Sequence, residues 1–316
     1  MKYTTRQVRG PLAEAVEQLW AYEGYQPPHA YERIFPAGTV ELIINLRDER
    51  LDILNADDAP GEGWRRCRAG SFSGVQTRFN IITTRQQERL VGVHFRPGGL
   101  HALFGIPADK LEDEHASLEM LWGRRGLEVY ERLLACADMS AAVDMLEAGL
   151  AEQMLLSRRE IHPAISQAIA AIGRNPEETA VTDLMEGAGL SARRFIQLFR
   201  RQVGTTPKQY CRIRRFQGVL GRLRREARAP DWCMLALEAG YYDQSHFIRE
   251  FRHFTGLRPT AYHSLVTAGL VREIPAPEQG QICPIPVHFP ALGWEHESTH
   301  LHAHGHAGQP FAAGTH

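Results

Sequence analysis

The sequence predicts an α+β chain: a β-rich N-terminal part, then an all-α domain in which two helix-turn-helix motifs are joined by a long helix. Three observations carry this reading. Apolar alternation marks strands in the first 126 residues, the period turns helical after Leu127, and one helical motif is written twice. Residues 195–210 read FIQLFRRQVGTTPKQY, and residues 247–262, at an offset of 52, read FIREFRHFTGLRPTAY. Phe195/Phe247, Ile196/Ile248, Phe199/Phe251, Arg200/Arg252, Gly204/Gly256, Pro207/Pro259 and Tyr210/Tyr262 coincide in register. A repeat of this length signals a duplicated supersecondary unit.

Taken in order, Gly10-Pro11 opens a helix with Leu12, Val16, Leu19 and Trp20 on one side. After the Pro27-Pro28 break, residues 39–46 alternate Val40, Leu42, Ile44 and Leu46 with Glu41 and Asn45, the pattern of a half-buried strand. Residues 79–83 and 90–95 are two further strands, the second ended by Arg96-Pro97-Gly98-Gly99. His94, His101 and His115 lack the tight His-x-His pairing with a downstream Glu that a metal centre in a β-barrel needs, so no metal is expected there. No Gly-rich phosphate loop, His-Glu-x-x-His or Gly-x-Ser-x-Gly elbow occurs, and no cofactor is expected.

Residues 127–158 carry two helical stripes. The first is Leu127, Tyr130, Leu133 and Leu134, and the second Val143, Leu146, Leu150, Met154 and Leu155. Such helices either pack on the N-terminal part or pair with a second copy, which leaves a homodimer open. The organisation expected is a β-rich sensor over 1–126, a helical linker or dimerisation segment over 127–160, the double motif over 161–266 and a tail over 267–316.

Each copy of the repeat has the grammar of a helix-turn-helix. Val181, Leu184 and Ala188 make one short stripe, Gly189 supplies the turn, and Ser191 caps a second helix that buries Phe195, Leu198, Phe199 and Val203. Gly204 ends that helix and Pro207 opens the next. In the second copy Leu235 and Leu237 precede, Gly240 turns, Asp243 caps, and Phe247, Phe251 and Phe254 pack, with a turn one residue longer. Helical spacing then puts Arg193, Ile196, Gln197 and Arg200 on one outward face, with Arg194 beside them. Adding 52 gives Ser245, Ile248, Arg249 and Arg252, with Gln244 and His246 near the helix start. Gln pairs with adenine, Arg with guanine and Ile with a thymine methyl, so these side chains suit base edges in a major groove.

Charge agrees. Residues 161–266 hold 16 Lys/Arg against 9 Asp/Glu, leaving 20 against 28 elsewhere, and residues 191–225 hold 11 basic residues and no acidic one. Solubilising faces mix signs, whereas a one-sign block suits phosphate.

On these residues, and on Gly-Tyr-Tyr-Asp-Gln-Ser-His-Phe at 240–247 and Phe-x-x-x-x-Gly-x-x-Pro-x-x-Tyr at 251–262, the stretch 161–266 resembles the DNA-binding domain of the AraC/XylS family of bacterial transcription regulators. The resemblance implies two three-helix lobes joined by one long helix, about 207–224, with double-stranded DNA and RNA polymerase as partners. The part before residue 160 resembles such regulators only loosely. For it the family implies a barrel-like or cupin-like sensor for a small-molecule effector, which the sequence does not identify.

A second function class is a DNA-repair enzyme that takes an alkyl group onto a cysteine, fused to the same DNA-binding module. It would need a reactive thiol, and Cys67 in Arg65-Arg66-Cys67-Arg68 is the candidate, since three arginines lower a thiol pKa. The regulator, which is not an enzyme, is the stronger reading. Cys67, Cys136, Cys211, Cys233 and Cys283 are scattered without Cys-x-x-Cys, as expected of free thiols in a reducing cytoplasm. No leader-like or membrane-spanning apolar run is present. The tail, with His300, His302, His304 and His306, is expected to be a disordered Pro/His-rich segment, because nothing around those histidines would preorganise a metal site.

Overall fold

The computed structural model describes residues 1–56, 63–68, 70–157, 159–226 and 228–271, and the backbone of 285–286. The N-terminal part is built of ten strands in chain order. They are β1 (Lys2–Gln7), β2 (Val16–Glu23), β3 (Tyr31–Ile34), β4 (Glu41–Asn45), β5 (Arg50–Asn55), β6 (Arg65–Arg68), β7 (Gly70–Ser73), β8 (Asn80–Thr83), β9 (Arg89–Phe95) and β10 (His115–Ser117). They form two sheets, the larger ordered β1-β2-β9-β4-β7-β10 and the smaller β3-β8-β5-β6, with antiparallel pairing throughout. Helix α1 (Gly99–Phe104) follows β9, and α2 (Leu118–Leu134) and α3 (Met139–Ser157) cover one face of the larger sheet, α3 lying against β2 and β9. Leu42, Val91, Val93 and Phe95 share a core with Leu133, Leu146 and Leu150 there. Helix α2 thus begins at Leu118, before the apolar stripe that opens at Leu127, and breaks its helical path at Gly123.

Two local expectations are corrected. Residues 10–20 are not one helix: a 3-10 turn over Gly10–Glu14 leads into β2. The spacing of Leu12, Val16 and Leu19 fits a helix, but β2 is buried on both sides. Leu19 and Ala21 enter the main core, while Trp20 and Tyr22 pack with Leu51 and Leu90 between the sheets. A strand covered on both faces loses the alternation that would identify it. For the same reason β4 is not half-buried, since Glu41 and Asn45 are as enclosed as Leu42 and Ile44. Asn45 Nδ2 donates to the carbonyl of Gln86 (2.8 Å), and its Oδ1 accepts from the backbone of Arg47 (2.9 Å).

The C-terminal part has two lobes on one long helix. Lobe 1 is α4 (Pro163–Arg174), α5 (Val181–Gly187) and α6 (Ala192–Val203); α7 (Pro207–Arg225) joins it to lobe 2, which is α8 (Trp232–Glu238), α9 (Gln244–Thr255) and α10 (Pro259–Thr267). Lobe 1 has its own core of Ile165, Ala168, Ile172, Phe195, Phe199, Val203 and Tyr210. Lobe 2 does not: Phe216, Phe247, Phe251, Phe254 and Tyr262 belong to the cluster that runs through the N-terminal part. The bridge is Phe35, whose ring lies 6.1 Å from that of Phe216 and 6.0 Å from that of Tyr262. Gln217 also donates to the carbonyl of Pro36.

Beyond residue 271 only a two-residue strand, β11 (Ile285–Pro286), is described, and it pairs with Arg33 and Glu32 of β3 at the edge of the smaller sheet. The rest of the tail, His300 to His306 included, lies outside the described residues.

Candidate nucleic-acid interface

The two copies of the repeat fold alike because the same local devices act in each. Ser191 Oγ accepts from the Arg194 amide (3.3 Å) and Asp243 Oδ1 from the His246 amide (2.7 Å), so each second helix starts on a side-chain cap. Gly204 and Gly256 end those helices at positive φ (108° and 70°), where a side chain would be strained. Phe195/Phe247, Phe199/Phe251 and Tyr210/Tyr262 are fully buried pairs, which leaves the opposite face of α6 and α9 to solvent.

On α6, Arg193, Arg194, Ile196, Gln197 and Arg200 are all exposed. Ile196, 37% exposed, adds an apolar side chain to this otherwise polar face. On α9, Gln244, Ser245, Arg249 and Arg252 are exposed, while His246 and Ile248 are half-buried. His246 Nδ1 accepts from the Tyr242 amide and its ring meets Tyr241 edge-on, so it braces the turn. Ser245, Ile248, Arg249 and Arg252 line one shallow depression. Beside it, Gln244, Ile248, Arg252, Arg258 and Thr260 line a groove of about 300 Å³.

The copies differ in one contact. Arg200 Nη2 donates to Glu112 Oε2 (3.3 Å), and Thr205 Oγ1 donates to Glu112 Oε1 (2.5 Å), so an acid of the N-terminal part holds the third turn of α6. Arg252, its counterpart, has no ion pair among the described residues. Gly204 is also pressed against Val75 and Ala108, and Gly256 against Phe79, so the N-terminal part grips both lobes just past the second helix.

Sequence reasoning missed the ion pair between the joining helix and lobe 2. Arg212 donates twice to Glu250, Nη2 to Oε1 (2.7 Å) and Nε to Oε2 (2.8 Å). Burial pushes the Glu250 carboxyl up, but these two bonds and the arginine charge hold it below its usual range. The available signal was the repeat itself, since the position matching Glu250 is Leu198, half-buried in lobe 1. A carboxylate there needs a cation across from it, and α7 supplies one.

A second polar feature lies between the sheets. Gln18, His94, Glu41, Ser73 and His115 stand opposite one another on β2, β9, β4, β7 and β10, forming one row across the larger sheet. His94 Nδ1 meets Glu41 Oε1 at 2.6 Å, both side chains nearly inaccessible, and Glu41 Oε2 and His94 Nε2 have no partner among the described residues. Burial lifts the neighbouring Glu17 above the usual carboxylate range, against the pull of Arg96, His94 and Arg214. Arg214 reaches Glu17 from α7, with Nε and Nη1 unpaired among the described residues. His101 lies apart, bound to the carbonyl of Ile106, so the three histidines of the region do not converge. Among the described residues no group of three His, Cys, Asp or Glu could hold a metal ion.

Cys67 is buried, and burial pushes its thiol up although Ser71 and Arg65 act the other way. This reverses the activation expected from its arginine neighbours: of the flanking side chains Arg66 and Arg68 turn outward on β6 while the sulfur turns in. No helix among the described residues is long and apolar enough to cross a membrane.

Comparison with known proteins adds the following. Residues 6–117 match a domain of unknown function (DUF6597), and residues 184–264 match the Helix-turn-helix domain family. An uncharacterized HTH-type transcriptional regulator of Haemophilus influenzae is 27% identical over 104 residues, 33% of this chain and 34% of that protein, so the match spans about a third of the relative. Among solved structures, ToxT from Vibrio cholerae aligns with a TM-score of 0.43 at 8% identity, over 84% of this chain and 100% of that chain. ToxT bound to an unsaturated fatty acid aligns with a TM-score of 0.41 at 9% identity, over 84% and 96%. The AraC-like transcriptional activator CuxR aligns with a TM-score of 0.20 at 16% identity, over 68% and 86%.

Proposed function

We propose that this chain, whose C-terminal region is an AraC-type helix-turn-helix domain, is a sequence-specific DNA-binding transcription regulator controlled by a small molecule in its N-terminal part. The observation that carries the reading is the matched pair of outward faces. Arg193, Ile196, Gln197 and Arg200 on α6 and Ser245, Ile248, Arg249 and Arg252 on α9 occupy equivalent positions on equivalent helices. One chain would deliver two recognition helices to successive major grooves about 10 bp apart. Arg194, Gln244 and His246 lie at the helix starts, where contacts to bases and phosphates meet. RNA polymerase is the further partner this reading entails, in the cytoplasm, with homodimerisation open.

The sensor reading is supported by the polar row between the sheets. A small molecule with hydrogen-bonding groups could meet Glu41 Oε2 and His94 Nε2 there, beside Arg214 of the joining helix. The Glu112–Arg200 pair offers a route from that part to α6.

Binding-site selection from random duplex DNA, with and without candidate metabolites, tests the function. We expect two short conserved blocks about one helical turn apart, and affinity that falls steeply with salt as counterions are released. Absence of any enriched sequence, or affinity indifferent to salt, refutes the reading.

A further inference from the structure

The lobes of the DNA-binding region are more than two beads on a helix. Arg215, halfway along α7, donates to three backbone carbonyls: Nε to Pro176 (2.6 Å), Nη2 to Glu177 (3.2 Å) and Nη1 to Gly240 (3.4 Å). Pro176 and Glu177 lie in the loop between α4 and α5 of lobe 1, whereas Gly240 is the turn that launches α9 in lobe 2. One guanidinium therefore ties the entry of one motif to the turn of the other. Its planar fan of donors can serve three carbonyls at once, which an ammonium group on a flexible stem cannot hold in that geometry.

The turn itself is shaped for this seam. Gly240 has φ +74°, and a Cβ there would lie 2.8 Å from the Glu177 carbonyl oxygen and 3.0 Å from its Cα. Gly189, the equivalent turn of lobe 1, has nothing within 4 Å of such an atom. The close approach belongs to the junction, not to the motif. Neither is the arginine part of the repeat, since the position 52 residues before it is Pro163. Arg212–Glu250 closes the same seam on the α9 side, and the groove between them is lined by Thr179, Val181, Arg212, Arg215, His246 and Glu250.

We propose that Arg215 is a spacing determinant: by fixing lobe 1 against the turn of lobe 2 it sets how many base pairs separate the two half-sites, and it reads no base. This rests on the DNA-binding reading above. The physical argument is that inserting one base pair moves the second half-site by roughly 3.4 Å along the axis and turns it by about 35°. Two lobes tied through these backbone carbonyls resist that displacement, whereas without the tie the turn of lobe 2 is freer to shift against lobe 1 and follow it.

The test uses the full chain and the selected operator, with the spacer shortened or lengthened by one base pair. Fluorescence anisotropy gives the affinity for each spacing, for wild type, Arg215→Met and Arg215→Lys. We expect the wild type to lose at least tenfold on either change. Both variants should lose threefold or less, with half-site sequence preferences unaltered. The lysine keeps the positive charge, so full spacing discrimination in Arg215→Lys would assign the effect to charge and overturn the proposal. Wild-type discrimination retained in Arg215→Met would overturn it too. Thermal melts identify a variant that fails to fold, in which case the other carries the comparison. A wild type that enriches no paired sites refutes the DNA-binding reading itself, and this outcome is distinct from strict spacing that survives in the variants.

Discussion

Arg200 and Arg252 hold the same place in two copies of one motif, yet among the described residues only Arg200 is paired with a carboxylate, that of Glu112. A carboxylate beside an arginine competes with a DNA phosphate for the same guanidinium, so Glu112 should lower affinity in the arrangement described. Glu112→Gln keeps the size of the side chain and can still accept from Thr205. We expect it to tighten operator binding by up to about fivefold, within the ~1 kcal/mol of a half-exposed ion pair. The slope of log K against log salt should steepen by about 0.9 if Arg200 gains one phosphate, which titration with KCl will measure. His115 makes a different prediction. Burial, with Arg65 adding to it, pulls its imidazole down to about 4, and Asn80 Nδ2 donates to its Nε2, a bond only the neutral ring can accept. The unfolded chain binds this proton near pH 6.5 and the folded chain near 4, so the stabilisation is complete above 6.5 and lost as pH falls from 6.5 toward 4. The thermal midpoint of His115→Asn should therefore fall less between pH 7 and 4.5 than that of the wild type.

At the scale of elements, α6 and α9 are the same helix used twice with different side chains. Arg249 holds on α9 the register position that Gln197 holds on α6, and both are exposed. Arg249→Ala should cost about 1–3 kcal/mol and relax preference at one or two guanine-containing base pairs. Gln197→Ala should do the same in the other half-site, at adenine, and comparing the sequences each variant selects checks both. These faces were legible in the sequence because each determinant is local: Ser191, Asp243, Gly204 and Gly256 act within a turn of their own positions, and the buried phenylalanines follow the helical period. Strand β2 was not legible, because its environment comes from both sides and its residues record only that they are apolar. Glu41 looked like a solvent-facing strand position for the same reason, and it is instead covered and bonded to His94. Arg215 could be recognised in sequence as basic and no further, since its partners are carbonyls, which every residue carries.

For the whole molecule, the decisive feature is that lobe 2 shares its core with the N-terminal part whereas lobe 1 does not. Phe35 stands at that junction, fully enclosed between strand β3 and the aromatic rings of lobe 2. Phe35→Ala should cost about 3–5 kcal/mol. Hydrogen exchange should place the loss in α7, α9 and α10, leaving α4 protected, and a uniform loss would contradict the separate core of lobe 1. The same junction has a consequence for how the chain is made. The apolar face around Phe35 leaves the ribosome long before its partner Tyr262 does. At 5–20 residues per second the gap is roughly 10–45 s, far longer than the microseconds to milliseconds of hydrophobic collapse and local folding. Throughout that interval the nascent N-terminal part displays an unfinished aromatic seam. A holding chaperone that recognises such surfaces would meet this protein at one defined stage of its synthesis and be released from it when lobe 2 closes.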